Sequence, residues 1–187
     1  MRVFLAGLVG GIVMFVWGAV AHMALGIGDM GMKAPTNEAA VMSALKEGLP
    51  GEGAYYLPYL APEKMRDEAA TQAYSAHALG SPFAYVIYQP QGRDPMDMNR
   101  NMAIQFASDT LAAMLAAFVL ALGAFSFSRR VLIAGALGLF AWMTISVPYW
   151  NWYRFPLDLT VANLIEQVVG WLLAGAAMAW WLGRGRR

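Results

Sequence analysis

The sequence predicts an all-α membrane protein, a four-transmembrane-helix bundle with a small α+β extracytoplasmic insert between helices 1 and 2. Three observations carry this expectation. Four apolar stretches, Val3 to Ile27, Met102 to Phe127, Val131 to Trp150 and Leu159 to Leu182, are each long enough to supply the roughly 20 helical residues that cross a hydrocarbon layer about 30 Å thick. Of the 187 residues, 59% are hydrophobic and 13% charged, and the mean hydropathy is +0.46, well outside the balance of a soluble domain. The net charge of +1 conceals a partition. Arg2, Arg129, Arg130, Arg184, Arg186 and Arg187 fall in the N-terminal, second-loop and C-terminal segments with no acidic neighbour. Ten of the twelve acidic residues lie between Gly28 and Asn101 or in the turn near Trp152. Arginine-rich short segments stay cytoplasmic, so the expected location is a bacterial inner membrane. Both termini then face the cytoplasm and residues 28–101 lie outside.

The division expected is 1–27 for the first span, 28–101 for the insert and 102–187 for the other three spans and the tail. The first apolar run ends in Ala19-Val20-Ala21, which resembles a signal-peptidase site. It exceeds the 7 to 15 residues of a signal h-region, so it is read as a retained anchor. Gly7, Gly11, Gly18 and His22 recur at steps of four, seven and four, which puts them on one helical stripe where small residues permit close approach.

In the insert, Thr36 caps a helix running to about Gly48, with Glu38 in its first turn. Tyr55 to Leu60 and Phe83 to Gln89 are aromatic and β-branched and read as strands, although Pro58 confines the first to an edge. Ala61-Pro62-Glu63 opens a second helix that Gly80 closes. With no cysteine in the chain, the insert has no disulfides or thiolate metal sites to hold it.

The second span carries Gln105, Asp109, Ala113 and Ala116. The third carries Ala134, Gly138, Ala141 and Thr144. The fourth carries Asn163, Glu166, Gly170, Ala174 and Ala177. By the helical rise, His22, Thr144, Asp109 and Glu166 lie roughly 8 to 10 Å inside the outer ends of their spans. An uncompensated charge there costs about 2.5–3.5 kcal/mol on insertion scales, so His22, Asp109, Thr144, Asn163 and Glu166 are expected to form one intramembrane polar cluster. Between spans three and four, Tyr149, Trp150, Asn151, Trp152, Tyr153 and Arg154 stand between Pro148 and Pro156. They read as an aromatic outer turn that anchors at the interface or covers the polar layer. Trp180 and Trp181 mark the opposite boundary.

No nucleotide loop, haem-attachment motif or catalytic series is present. Gly26-Ile27-Gly28-Asp29-Met30-Gly31 matches the dinucleotide fingerprint by letter, but it follows a membrane helix rather than a strand. His77 lies near Ser75 and Ser81 without completing a triad. One intramembrane histidine cannot supply two axial ligands to a haem. The scattered arginines suit anionic lipid rather than nucleic acid.

The leading expectation is therefore a non-enzymatic accessory subunit of a larger membrane assembly, for example a respiratory or photosynthetic one. Gly7, Gly11, Gly18, Gly138, Gly170 and Ala174 would pack its helices, and its partners would be lipids, other integral subunits or a second copy. The alternative is an outer-leaflet polar site for a quinone, proton, cation or lipid, built on His22, Asp109 and Glu166. A further alternative is extracytoplasmic copper handling by Met30, Met32, Met96 and Met98, since thioethers suit Cu(I). The sequence specifies no cofactor.

Overall fold

The computed structural model describes residues 1–184; Arg186 and Arg187, two of the arginines assigned to the cytoplasmic side, lie outside the described residues. The chain is mostly helical and divides into two compact units, Met1–Lys33 with Pro95–Arg187, and Ala34–Asp94. The second unit is narrower than residues 28–101, because the segment after the first helix packs back on the first unit.

The first unit is built on four helices long and apolar enough to cross a membrane. They are α1 (Arg2–Met23), α4 (Asn99–Ala121), α5 (Phe127–Tyr153) and α6 (Leu157–Gly183). α1 packs along both α4 and α6, α6 packs along α5, and α4 touches α5 and α6 only sparingly. The neighbour order is thus α4, α1, α6, α5, an open row. The core lies in the half of this row nearer the chain termini. There Ala6 and Met14 of α1 share one buried cluster with Ala113, Ala116, Ala117 and Leu120 of α4 and Trp171, Ala174, Met178 and Leu182 of α6.

Small residues set the spacing. A β-carbon on Gly7 would lie 2.6 Å from the Met114 Cα, and one on Gly11 would lie 2.5 Å from the Thr110 Cα, so α1 and α4 touch backbone to backbone. Gly138 stands in the same relation to the Gln167 carbonyl, at 2.6 Å, across α5 and α6. Gly170 faces Trp17 and Met14, and Ala174 is fully buried. Gly10 against Met178 and Ala113, Gly135 against Leu172, and Gly175 against Ala134 extend these seams beyond the glycines singled out from sequence. Gly18 does not belong to them, because its nearest neighbour is the Glu166 Oε1 at 3.9 Å.

The expected aromatic outer turn is largely helix. α5 continues through Pro148 to Tyr153, and Arg154, at φ 54°, ends it in the left-handed region. Proline's fixed φ is compatible with a helix, and its cost is one backbone hydrogen bond plus ring crowding, which an otherwise apolar helix absorbs. Only Arg154, Phe155 and Pro156 connect α5 to α6. Tyr149 packs on Tyr153 and Phe155, with ring centroids 5.4 and 5.1 Å away. Asn151 and Trp152 are exposed.

At the other end of α5 the Ser126 side chain accepts from the Arg129 amide at 3.3 Å, capping the helix. Arg130 is buried, and its Nε donates to the Leu120 carbonyl at 3.2 Å. That carbonyl belongs to the last turn of α4, where no intrahelical donor is left. A residue counted only as a topology charge therefore ties α4 to α5.

The second unit contains α2 (Glu38–Gly48), strand β1 (Gly53–Leu57), α3 (Glu68–Leu79) and strand β2 (Ala84–Tyr88). The strands pair antiparallel, with Tyr55 opposite Val86 and Leu57 opposite Ala84. β1 starts two residues earlier than expected, at Gly53, and β2 is shorter by one residue at each end, and three further boundaries differ for local reasons. Asn37 rather than Thr36 caps α2, accepting from the Ala40 amide at 3.0 Å. β1 stops at Leu57, ahead of Pro58, which has no N–H to donate. Pro62–Lys64 forms only a short 3-10 turn, and α3 starts afresh after Asp67, whose carboxylate accepts from the Ala70 amide at 3.2 Å.

Candidate functional site

In the half of the row farther from the termini, α1, α4 and α6 leave a crevice of about 300 Å³. Met14, Phe15, Trp17, Met23, Met98 and Met102 make its apolar wall, and five polar side chains interrupt it: His22, Gln105, Asp109, Glu166 and Gln167. Three separate helices supply them. Spacing explains the sets, since His22 follows Gly18 by four residues and Asp109 follows Gln105 by four, one helical turn apart on one face.

His22 Nε2 and Glu166 Oε1 stand 3.3 Å apart, an ion pair whenever the imidazole is protonated. The imidazole is half exposed and the carboxylate mostly covered, at 54% and 25% of side-chain area. A strap after α1 holds the ring in place. Gly26, with φ 63°, turns the chain into the 3-10 segment Ile27–Asp29, and Gly31, with φ 81°, lies against the Leu159 amide in the first turn of α6. Gly28 faces the imidazole so closely that a β-carbon there would collide with Nδ1. The strap thus spans from α1 to α6 with the imidazole beneath it.

Across the crevice, the Gln105 Nε2 donates to the Asp109 Oδ1 at 2.8 Å. Gln105 fixes that oxygen, and the second oxygen of Asp109 remains an acceptor. Trp17 Nε1 donates to the Glu166 backbone carbonyl at 3.0 Å, which locks α1 to α6 at the floor. Trp171 Nε1 donates to the Gln167 side-chain oxygen at 3.3 Å, and Phe15 meets Phe106 edge to face at 5.4 Å.

Of the five residues expected to cluster, His22, Asp109 and Glu166 share the crevice. Thr144 does not: it is exposed on α5, and its hydroxyl donates to the Phe140 and Ala141 carbonyls at 2.8 and 3.2 Å. Asn163 is half-buried on α6 and does not line the crevice. Trp17 and Gln167 escaped the sequence reading. Each carried a signal: Trp17 stands in a span interior rather than at the ends where tryptophan usually collects, and Gln167 is a polar residue beside Glu166 inside the fourth apolar stretch.

No family model, curated protein or solved structure matches the chain. The chemistry rests on the residues alone. Among the described residues no three His, Asp or Glu side chains are grouped to hold a metal ion, which leaves the expected imidazole-and-two-carboxylate cation site without its geometry. Of the methionines suggested for copper, Met98 lines the crevice, whereas Met30, Met32 and Met96 do not. In the second unit, Ser81 Oγ and His77 Nδ1 stand 3.5 Å apart on an exposed face. The crevice combines flexible thioether and aromatic walls, which adapt to an apolar body, with convergent donors and acceptors that orient a polar head.

Proposed function

We propose that this chain is an integral membrane protein, termini cytoplasmic, that binds a lipid-soluble molecule with a hydrogen-bonding head group, of quinone type, in the crevice between α1, α4 and α6. One observation carries the reading. Five polar side chains from three helices converge on an otherwise apolar space of about 300 Å³, a volume within the usual range for small-molecule sites. His22 and Gln167 offer donors, Asp109 and Glu166 offer acceptors, and the methionines flank the apolar part of the ligand. A crevice of these contents would otherwise hold carboxylates at membrane depth without use of their remaining lone pairs.

The test is titration of the reconstituted protein with a short-chain benzoquinone, read by tryptophan fluorescence. Trp17 lines the crevice, so saturable quenching is expected and Trp17→Phe should remove the saturable part. His22→Ala and Glu166→Gln should each weaken binding about 10-fold, the worth of a hydrogen bond to a charged group. Quenching that rises linearly and ignores all three substitutions refutes the proposal.

The accessory-subunit reading keeps one specific support. α5 packs along α6 alone to any extent, and it exposes Leu132, Leu139, Phe140, Met143 and Trp150. The glycine seams no longer argue for a partner, because the protein's own helices fill them. Extraction in a mild detergent at native expression that yields a free monomer only would remove this reading.

A further inference from the structure

The end of the helix row opposite the crevice carries a second arrangement that the quinone reading does not use. Arg2, in the first turn of α1, and Arg184, just beyond α6, line one groove of about 370 Å³ together with Leu5 and Trp181. The Arg184 guanidinium lies 3.5 Å from the Trp180 ring centroid and 5.5 Å from that of Trp181. It therefore lies within cation–π reach of two tryptophan rings. A second groove of about 520 Å³, which includes Phe127 and Trp180, shares Arg184.

Among the described residues this end carries no Asp or Glu side chain to neutralise it. Residues 1–28, 110–157 and 167–187 contain neither Asp nor Glu, and among the described residues no carboxylate pairs with Arg2 or Arg184. Two cations brought to one groove repel each other unless an anion enters. Guanidinium groups match phosphate oxygens in pairs, and the walls below them are apolar.

We propose that the Arg2–Arg184 groove binds an anionic diacyl phospholipid, its phosphodiester between the two guanidiniums and an acyl chain along Leu5 and Trp181. A soluble anion satisfies the charges but leaves the apolar walls unused, so the lipid is the occupant that fits both. This site is independent of what fills the crevice.

Native mass spectrometry of the full-length protein in detergent tests it, with phosphatidylglycerol or phosphatidylcholine titrated in. Wild type should retain phosphatidylglycerol in preference, and inorganic phosphate should not displace it. Arg2→Gln and Arg184→Gln should each weaken retention about 5-fold, and the pair about 25-fold. Arg129→Gln is the control, since Arg129 is exposed at the start of α5 and lines neither groove; its retention should be unchanged. Equal retention of the two lipids overturns the proposal. So does a loss in Arg129→Gln as large as in Arg184→Gln, which would indicate diffuse charge, or displacement by phosphate, which would indicate a simple anion site. Should the double variant fail to fold, the single variants decide.

Discussion

Gly28 is glycine because the His22 imidazole occupies the space of its side chain. In Gly28→Ala the added methyl meets the half-exposed imidazole rather than backbone, so the ring should be displaced and the fold should hold. The expected outcome is a melting temperature within a degree or two of wild type, with benzoquinone binding weakened to the level of His22→Ala. Arg130 and Arg129 make the opposite contrast. Removing the buried donor in Arg130→Met leaves the Leu120 carbonyl without that partner, which costs about 1–3 kcal/mol, whereas exposed Arg129→Met should stay within about 0.5 kcal/mol. Thermal unfolding in detergent compares the two. The sequence made His22, Asp109 and Glu166 legible because polar residues inside apolar runs are conspicuous and helical rise gives their depth. Depth is not direction, however. Thr144 lies at a similar level, but its hydroxyl is satisfied by its own helix, and a β-hydroxyl can always turn back in this way.

Between elements, one helix face carries both a tight seam and an open crevice, and the glycines distinguish them. Gly7 and Gly11 meet the backbone of α4, while Gly18, on the same stripe, looks into the crevice with only the Glu166 oxygen at 3.9 Å. Gly11→Val must therefore push α1 from α4, and overpacking of this kind costs about 1–3 kcal/mol. Gly18→Ala should be neutral or gain up to about 1 kcal/mol, as for Gly→Ala at an uncrowded helix position. Chemical denaturation of the two variants side by side checks this; equal destabilisation would mean that α1 is seamed along its whole length. The stripe was readable from four- and seven-residue spacing, but the switch from seam to crevice was not, because spacing fixes a face and says nothing of what lies opposite. Element ends show the same limit. Asn37 and Thr36 are both good caps, and only the geometry of the Ala40 amide selects between them. The aromatic run between Pro148 and Pro156 read as a turn, yet α5 runs through Pro148 and ends only at Tyr153.

At the scale of the molecule, the row α4, α1, α6, α5 has α1 and α6 at its centre, and those two helices supply the pair His22–Glu166 and the Trp17 bond between them. Four apolar spans could be recognised one at a time from composition. Their neighbour order could not, since every span carries small residues and each stripe accepts several partners. What composition does show is a charge asymmetry between the two ends of the row. The arginine-rich end holds Arg2, Arg130 and Arg184, and the crevice belongs to the half of the helix row farther from the termini. If arginine retention sets the orientation, the crevice opens towards the outer leaflet and the lipid groove towards the inner one. The absence of cysteine makes this directly measurable by single substitutions. Ser43→Cys in α2 and Ser128→Cys at the start of α5 are both at exposed positions. A membrane-impermeant maleimide added to intact cells whose outer membrane has been opened should label Ser43→Cys and spare Ser128→Cys until the inner membrane is also broken. The reverse pattern would turn the molecule over. It would place His22 and Glu166 near the cytoplasmic face, so any ligand of the crevice would have to be drawn from the inner leaflet.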